Sequence, residues 1–256
     1  MKISLSDIDR QRFGVVTAKA TLDGSEPVPE VMQWCGAHGV QMLIARCAST
    51  ELAQVQQLEQ AGCFLTDTLV YFLKRHIAQQ DVALPDGYTT RLATAADAEA
   101  VGALAGLTFE GYFGHYHVDP RLDKRDADLV YSSWAANSCG NPAVADAVVL
   151  IEHGGQIAAF ATLKVHNSLE FEGVLFGVHP GHQGKRLYHA LMQLAQNWAR
   201  GRDIAHMIVS TQITNLSVQK VWCRQGFEPS KSYYTFHKWF EGAGAAAGGA
   251  AQGAAA

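Results

Sequence analysis

The run Phe176-Gly177-Val178-His179-Pro180-Gly181-His182-Gln183-Gly184-Lys185-Arg186 places a turn glycine and two cations between a β-rich apolar stretch and an amphipathic stretch ending at Trp198. Strand, tight loop and helix start in that order can hold a phosphate. The first turn of a helix has N–H groups without intrahelical partners, and Lys185 and Arg186 add positive charge. The plainer alternative is that Gly184 serves only the turn and both cations are solvated. Upstream on the same apolar stretch lie Glu170 and Glu172, whose plain reading is that of solvated strand carboxylates.

Two further clusters carry reactive types. The segment FEGYFGHYHVDPRL gathers Tyr112, Phe113, His115, His117 and Asp119. His-x-His is a spacing that metals use, but no further ligands accompany it, and aromatic rings with imidazoles also suit stacking on a sugar or nucleobase. An acceptor-binding loop is the expectation, with no metal. Near the C-terminus, Thr211-Gln212-Ile213-Thr214-Asn215 leads to Trp222, Cys223, Tyr233 and Tyr234. Trp34, Trp134, Trp198 and Trp239 read as core residues.

The elements that position these residues follow from periodicity and turn signals. Residues 2 to 22 read as two short strands around a turn from Ser6 to Arg12. Val28–His38 reads as a helix, Val40–Arg46 as a strand, Leu52–Ala61 as a helix stopped by Gly62, and Thr66–Lys74 as a strand. A polar stretch ending Pro85-Asp86-Gly87 reads as a linker. Beyond it come a strand at Tyr88–Ala93, helices at Ala95–Thr108 and Asp126–Ser138, and a hairpin of Ala145–Glu152 and Gln156–Val165. The strand Ser168–Val178 delivers the phosphate-type loop, and a helix is expected from Lys185 to Ala199. Strand His206–Gln212, helix Asn215–Arg224 and strand Ser232–Phe240 complete the chain. The expected division is 1–87, 88–240 and a low-complexity, disordered tail at 241–256.

An internal repeat is legible. Shifting Ala45–His76 by 164 onto Val209–Phe240 aligns strand with strand and helix with helix, and matches Thr50 to Thr214, Leu52 to Leu216, Gly62 to Gly226, Phe72 to Phe236 and Lys74 to Lys238. Duplication and shared strand-helix-strand chemistry both account for these matches.

Taken together, the loop and its neighbours resemble the GNAT family of acetyl-CoA-dependent acetyltransferases. Val178-His179-Pro180 before Gln183 resembles the V-x-P turn and Gln/Arg-x-x-Gly-x-Gly/Ala loop of that family, and Asn215, Trp222 and Gly226-Phe227 resemble its Asn…Tyr…Gly-Phe element. A closer resemblance is to bacterial nucleotide-sugar N-acetyltransferases of the TDP-fucosamine type, through the two-unit layout, Phe13-Gly14, the aromatic segment to Pro120 and Thr211-Gln212. The resemblance implies an α/β (α+β) GNAT fold, a mixed central sheet flanked by helices and preceded by a truncated GNAT-like unit. It also implies acetyl-CoA as co-substrate and an amine on a small polar acceptor, such as a nucleotide-linked amino sugar.

By the same resemblance, Phe176, Gly177, Val178, Gln183, Gly184, Lys185, Arg186, Leu187, Tyr188, Asn215 and Trp222 hold acetyl-CoA. Tyr112, Phe113, His115, His117 and Gln212 meet the acceptor, and Glu172 is the base. Arg186 and Tyr188 stand where the family has small residues, and Trp222 stands where many members have a proton-donating Tyr. An indole N–H donates hydrogen bonds but is no acid near neutral pH. Losing a general acid costs about 100- to 10,000-fold, yet a thiolate leaves readily, its thiol pKa being about 8.5. Tyr233, Tyr234 or Cys223 can substitute, or can fill strand and core positions. A non-catalytic acyl-CoA-binding module and a protein or peptide N-acetyltransferase are the alternatives.

Bulk properties narrow the partners. Lys plus Arg number 20 against 24 Asp plus Glu, a net charge of -4, so no global basic field points to nucleic acid or an anionic membrane. The five scattered cysteines lack metal or disulfide spacing, which fits reduced thiols. No apolar run approaches the roughly 18 residues of a membrane span, and the first residues lack a signal-peptide core. A cytoplasmic protein is expected, with homodimer formation left open.

Overall fold

The computed structural model describes residues 2–241, so the expected low-complexity tail lies outside the described residues except for Glu241. The chain divides into two compact units that are not contiguous in sequence. Unit 1 comprises residues 2–69, 114–123 and 232–241, and unit 2 comprises 70–113 and 124–231. The division into domains at 1–87 and 88–240 stands as a proposal. The spatial units place 70–87 with the second half and return 114–123 to the first.

Unit 1 contains β1 (Ile3–Leu5), α1 (Asp7–Phe13), β2 (Thr17–Leu22), α2 (Val28–Ala37), β3 (Met42–Ala48), α3 (Leu52–Gln60), the first part of β4 (Phe64–Lys74), the short α5 (His115–Val118) and most of β10 (Glu228–Trp239). Its strands lie in the order β1-β2-β3-β10-β4. β2 and β3 are parallel, while β10 is antiparallel to β3, with Phe236 opposite Ala45. Leu22, Val31, Cys35, Leu43, Leu58 and Phe236 form its core.

The expected turn from Ser6 to Arg12 is instead helix α1. Asp7 and Asp9 occupy its first turn, Arg10 and Arg12 its last, and Gly14 closes it at φ 66 by donating its N–H to Arg10 O. This charge order complements the helix dipole, and glycine takes the left-handed stop without strain.

Unit 2 contains the end of β4, β5 (Tyr88–Leu92), α4 (Ala98–Thr108), α6 (Lys124–Ser138), β6 (Ala147–His153), β7 (Gln156–Val165), β8 (Glu170–Val178), α7 (Leu187–Arg200), β9 (His206–Gln212) and α8 (Leu216–Arg224). The strand order is β5-β6-β7-β8-β9-β4, antiparallel from β5 to β8 and parallel between β8 and β9. Both faces of the sheet are covered. Leu187, Leu191, Met192 and Ala195 of α7 pack with Phe171 and Val209 on one core. Val101, Leu104 and Ala105 of α4 pack with Leu150, Phe160 and Leu175 on the other. Burying each large aliphatic side chain contributes about 1.5–3 kcal/mol. Of the tryptophans read as core, Trp134 on α6 is 37% exposed.

The stretch read as a linker is docked rather than free. Ile77 is buried, and Asn197 of α7 holds the Gln80 backbone on both sides, accepting from Gln80 N at 2.9 Å and donating to Gln80 O at 2.8 Å. The 164-residue shift is reproduced by the elements: β3 maps onto β9 and α3 onto α8 end to end, and β4 onto β10 to within one residue.

Candidate functional site

The unit 2 sheet opens at one place. β8 and β9 pair from Glu170 and His206 to Gly173 and Val209, and the ladder stops there although both strands continue. The cause lies on the other side of β8, where its register with β7 shifts between Thr162 and Leu163, leaving Val174 as an extra residue. Such a bulge bends its strand. Thr162 Oγ1 accepts the Leu175 N–H at 3.0 Å at this point. Phe176, Gly177 and Val178 remain paired to β7, and their β9-facing edge has no ladder partner among the described residues. Gly177 is required here, because a Cβ would lie 2.3 Å from the Phe160 ring.

Next comes the loop. Pro180–His182 forms a 3-10 turn in which His179 Nδ1 accepts the Gly181 N–H at 3.0 Å. Tyr88 Oη and His182 Nδ1 are 2.7 Å apart, and Lys185 Nζ lies 5.6 Å from the centre of the Tyr88 ring. Gly184 has φ 77 and Arg186 φ 62. Because Arg186 is left-handed, α7 starts at Leu187 and not at the expected Lys185. The first N–H groups of α7 therefore face the loop without intrahelical partners, beside two exposed cations. Unpartnered amides at a helix start beside two cations are groups of the kind that accept phosphate oxygens.

Tyr188 turns inward. Its ring lies 5.5 Å from Phe176 of β8, and its Oη accepts a 2.9 Å hydrogen bond from Trp222 Nε1 on α8. Trp222 is 3% exposed and packs 5.4 Å from Phe72. Burial pushes the Tyr188 phenol up, against the pull of the Trp222 bond. At the start of α8, Asn215 Nδ2 donates to Thr211 Oγ1 at 3.0 Å, and the buried Gln212 accepts the Asn215 N–H at its carbonyl.

Glu172 is not a solvated strand residue. Its Oε2 lies 2.9 Å from His166 Nε2, its Oε1 accepts from Ser210 Oγ at 3.2 Å, and its side chain is 16% exposed. The bond to Glu172 raises the His166 pKa. Neither His166 nor Ser210 is conspicuous in sequence. The usable signal is the hairpin that returns His166 toward Glu172, and the parallel β9 that brings Ser210 alongside.

The aromatic segment is divided between the units. Tyr112 belongs to unit 2 and packs with Phe109 and Tyr131 at 5.7 and 5.2 Å, while the neighbouring Phe113 is 60% exposed. His115, His117 and Asp119 belong to unit 1 and do not converge. His117 Nδ1 accepts the Gly114 N–H at 3.1 Å. His115 Nδ1 lies 2.9 Å from His237 Nε2, whose Nδ1 meets Asp119 Oδ2 at 2.7 Å. Trp239, read as core, also donates to Asp119, at 2.9 Å.

Burial opposes the Asp119 charge, but the bonds from His237, the Arg121 amide and Trp239 outweigh it and hold the carboxyl below its usual range. Tyr116 donates to Asp9 Oδ1 at 2.9 Å, and Lys19 pairs with the same buried carboxylate at 2.6 Å. Tyr233 lies on β10 opposite Ala48, in unit 1. Among the described residues, no group of three or more His, Cys, Asp or Glu side chains is placed to hold a metal. All five cysteines are free, and only Cys223 is exposed.

Residues 109–227 match the model of the acetyltransferase (GNAT) family. A curated relative, the spore coat polysaccharide biosynthesis protein SpsD of Bacillus subtilis (strain 168), is 27% identical over 144 residues, covering 56% of this chain and 48% of that protein. The chain thus spans about half the length of that relative. Among solved structures, a GCN5-related N-acetyltransferase from Sphaerobacter thermophilus superposes with a TM-score of 0.62 at 12% identity, over 93% of this chain and 76% of its own. A tandem GNAT protein from the clavulanic acid biosynthesis pathway, solved without AcCoA, gives 0.58 at 13% identity over 82% and 67%. A GCN5-related N-acetyltransferase from Kribbella flavida gives 0.58 at 18% identity over 87% and 81%. These structures share the fold.

Proposed function

We propose that this chain, whose residues 109–227 match the acetyltransferase (GNAT) family model, is a member of that family and transfers acetyl from acetyl-CoA to the amino group of a small polar acceptor, an amino sugar carried on a nucleotide being the favoured class. The observation that carries this reading is the parting of β8 from β9 after Gly173, directly before the loop of donors at residues 183–188. The free edge of Phe176–Val178 suits strand-like hydrogen bonds to pantetheine and an N–H aimed at the thioester carbonyl. The loop amides with Lys185 and Arg186 suit the diphosphate. Glu172, held by His166 and Ser210, suits the role of base toward the attacking amine, which enters the step in its neutral form.

The acceptor class rests on two supports. One is the polysaccharide-biosynthesis relative, and the other is the part of the aromatic segment in unit 2, where Tyr112 and Phe113 are proposed to contact the sugar along with Gln212. Isothermal titration with acetyl-CoA tests the donor reading: no binding at millimolar ligand by folded protein overturns it. Thiol release across a panel of amines and nucleoside-diphosphate amino sugars tests the acceptor.

A second reading has its own observation. Trp222 replaces a proton donor with a group that is not an acid, which fits a non-catalytic acyl-CoA-binding module. Binding of acetyl-CoA without thiol release on any acceptor would select it.

A further inference from the structure

Trp222 leaves a question of chemistry, because the departing sulfur of a thioester needs a partner for its charge. The hydrogen bond it makes has only one possible direction. An indole nitrogen is a donor and never an acceptor, so Trp222 Nε1 gives its proton to Tyr188 Oη and the phenol keeps its own. No other hydrogen bond of the Tyr188 hydroxyl occurs among the described residues. The phenol is thus anchored through its oxygen and has an unused O–H. Its ring lies against Phe176, on the part of β8 beyond Gly173 that β9 leaves uncovered, and its anchor stands on α8, which follows β9. The phenol is therefore fixed by its ring against β8 and by its oxygen to the helix that follows β9, the two strands that part.

We infer that Tyr188 donates its O–H to the thioester sulfur of acetyl-CoA as the carbon–sulfur bond breaks, with Trp222 as the positioning residue that orients the phenol. The inference rests on the acetyl-CoA reading above. In the step, the amine nitrogen forms a bond to the carbonyl carbon and loses one proton to Glu172. The tetrahedral adduct then collapses, the C–S bond breaks, and sulfur leaves with the electron pair.

Two magnitudes decide how Tyr188 acts. Burial raises the phenol above its ordinary value of about 10, whereas a thiol titrates near 8.5. Complete proton transfer from phenol to thiolate is therefore uphill. Tyr188 stabilises the thiolate by a charge-assisted hydrogen bond, and the thiolate takes its proton from water after release, which balances the proton left on Glu172. The N–H received from Trp222 polarises the phenol and strengthens it as a donor.

The test needs no acceptor. Free coenzyme A is bound to the full chain, and the pH dependence of its thiolate ultraviolet absorbance is recorded. A donor aimed at the sulfur favours the charged form, so the bound thiol is expected to titrate about one to two pH units below free coenzyme A. In Tyr188→Phe the bound thiol is expected to return to the free value. In Trp222→Phe, which keeps the phenol and removes its anchor, it is expected to fall between the two.

A bound thiol that titrates in wild type as it does in free solution overturns the inference without recourse to any variant. So does a Tyr188→Phe protein whose bound thiol matches a shifted wild type. A Trp222→Phe protein indistinguishable from wild type overturns the positioning role. Failure of coenzyme A to bind at all overturns the donor reading itself, and with it this inference.

Discussion

Glu172 Oε2 and His166 Nε2 stand 2.9 Å apart, and the pair is the only place on β8 where a carboxylate and an imidazole meet among the described residues. The contact raises the His166 pKa above 6.5, so around neutral pH the carboxylate faces a ring that is partly cationic. A cationic His166 competes with the acceptor for the Glu172 carboxylate, and the neutral ring does not. The turnover limb is therefore expected to rise above pH 6.5 and to move to lower pH in His166→Asn. Glu172→Gln is expected to lower kcat by about 100- to 10,000-fold with acetyl-CoA affinity retained. Steady-state rates across pH on one acceptor check both, and an unshifted limb in His166→Asn removes that residue from the proton path.

Arg186 pays for the loop in backbone strain. A left-handed non-glycine residue costs about 1–2 kcal/mol, partly offset because glycine loses more entropy on folding. Arg186→Gly at φ 62 is thus expected to stabilise the protein by about 0.5–1 kcal/mol, visible as a rise of a few degrees in Tm. If the guanidinium pairs with phosphate, the same variant weakens acetyl-CoA binding severalfold. Opposite signs in thermal melting and in calorimetric affinity are the expected signature, and a lowered Tm would remove the strain argument.

The substitution Gly177→Ala probes the parted strand directly. A Cβ there would meet Phe160, a fully buried ring, at 2.3 Å, and overpacking of this kind costs about 1–3 kcal/mol. Because the two residues face each other across β7 and β8, Gly177→Ala combined with Phe160→Leu is expected to recover part of the loss. Urea denaturation of the single and double variants measures the coupling.

Element order and the repeat were legible because they depend on local periodicity. The 164-residue shift, found from five identities, reappears as matching ends of β3 with β9 and α3 with α8. Helix α1 was not legible. Its seven residues hold little apolar pattern, and its one buried side chain, Asp9, is satisfied by Lys19 and by Tyr116 from far along the chain. The Tyr188–Trp222 bond was equally invisible, since both residues were singled out but side-chain direction is not encoded in spacing. The aromatic segment reads as one loop, yet its residues fall in two units, because His115 finds His237 122 residues away.

The buried Asp119–His237–His115 chain sets how unit 1 responds to acid. Burial, reinforced by the charge of His237, holds His115 well below its usual pKa, so the ring is neutral when folded and takes a proton near 6.5 once unfolded. The unfolded state then binds more protons below that pH. Stability is therefore full above about pH 6.5 and falls as pH drops below it. Asp119, also depressed when folded, adds a second loss in the same direction, beginning near its unfolded value of about 3.9. His115→Asn removes the upper titration and is expected to flatten the urea midpoint between pH 6.5 and 5. His237→Ala strands a buried carboxylate and is expected to cost about 3–5 kcal/mol, whereas Asp119→Asn keeps an acceptor for His237 and costs less. A His115→Asn protein whose urea midpoint falls between pH 7 and 5 as steeply as that of wild type would show that His115 is not held neutral.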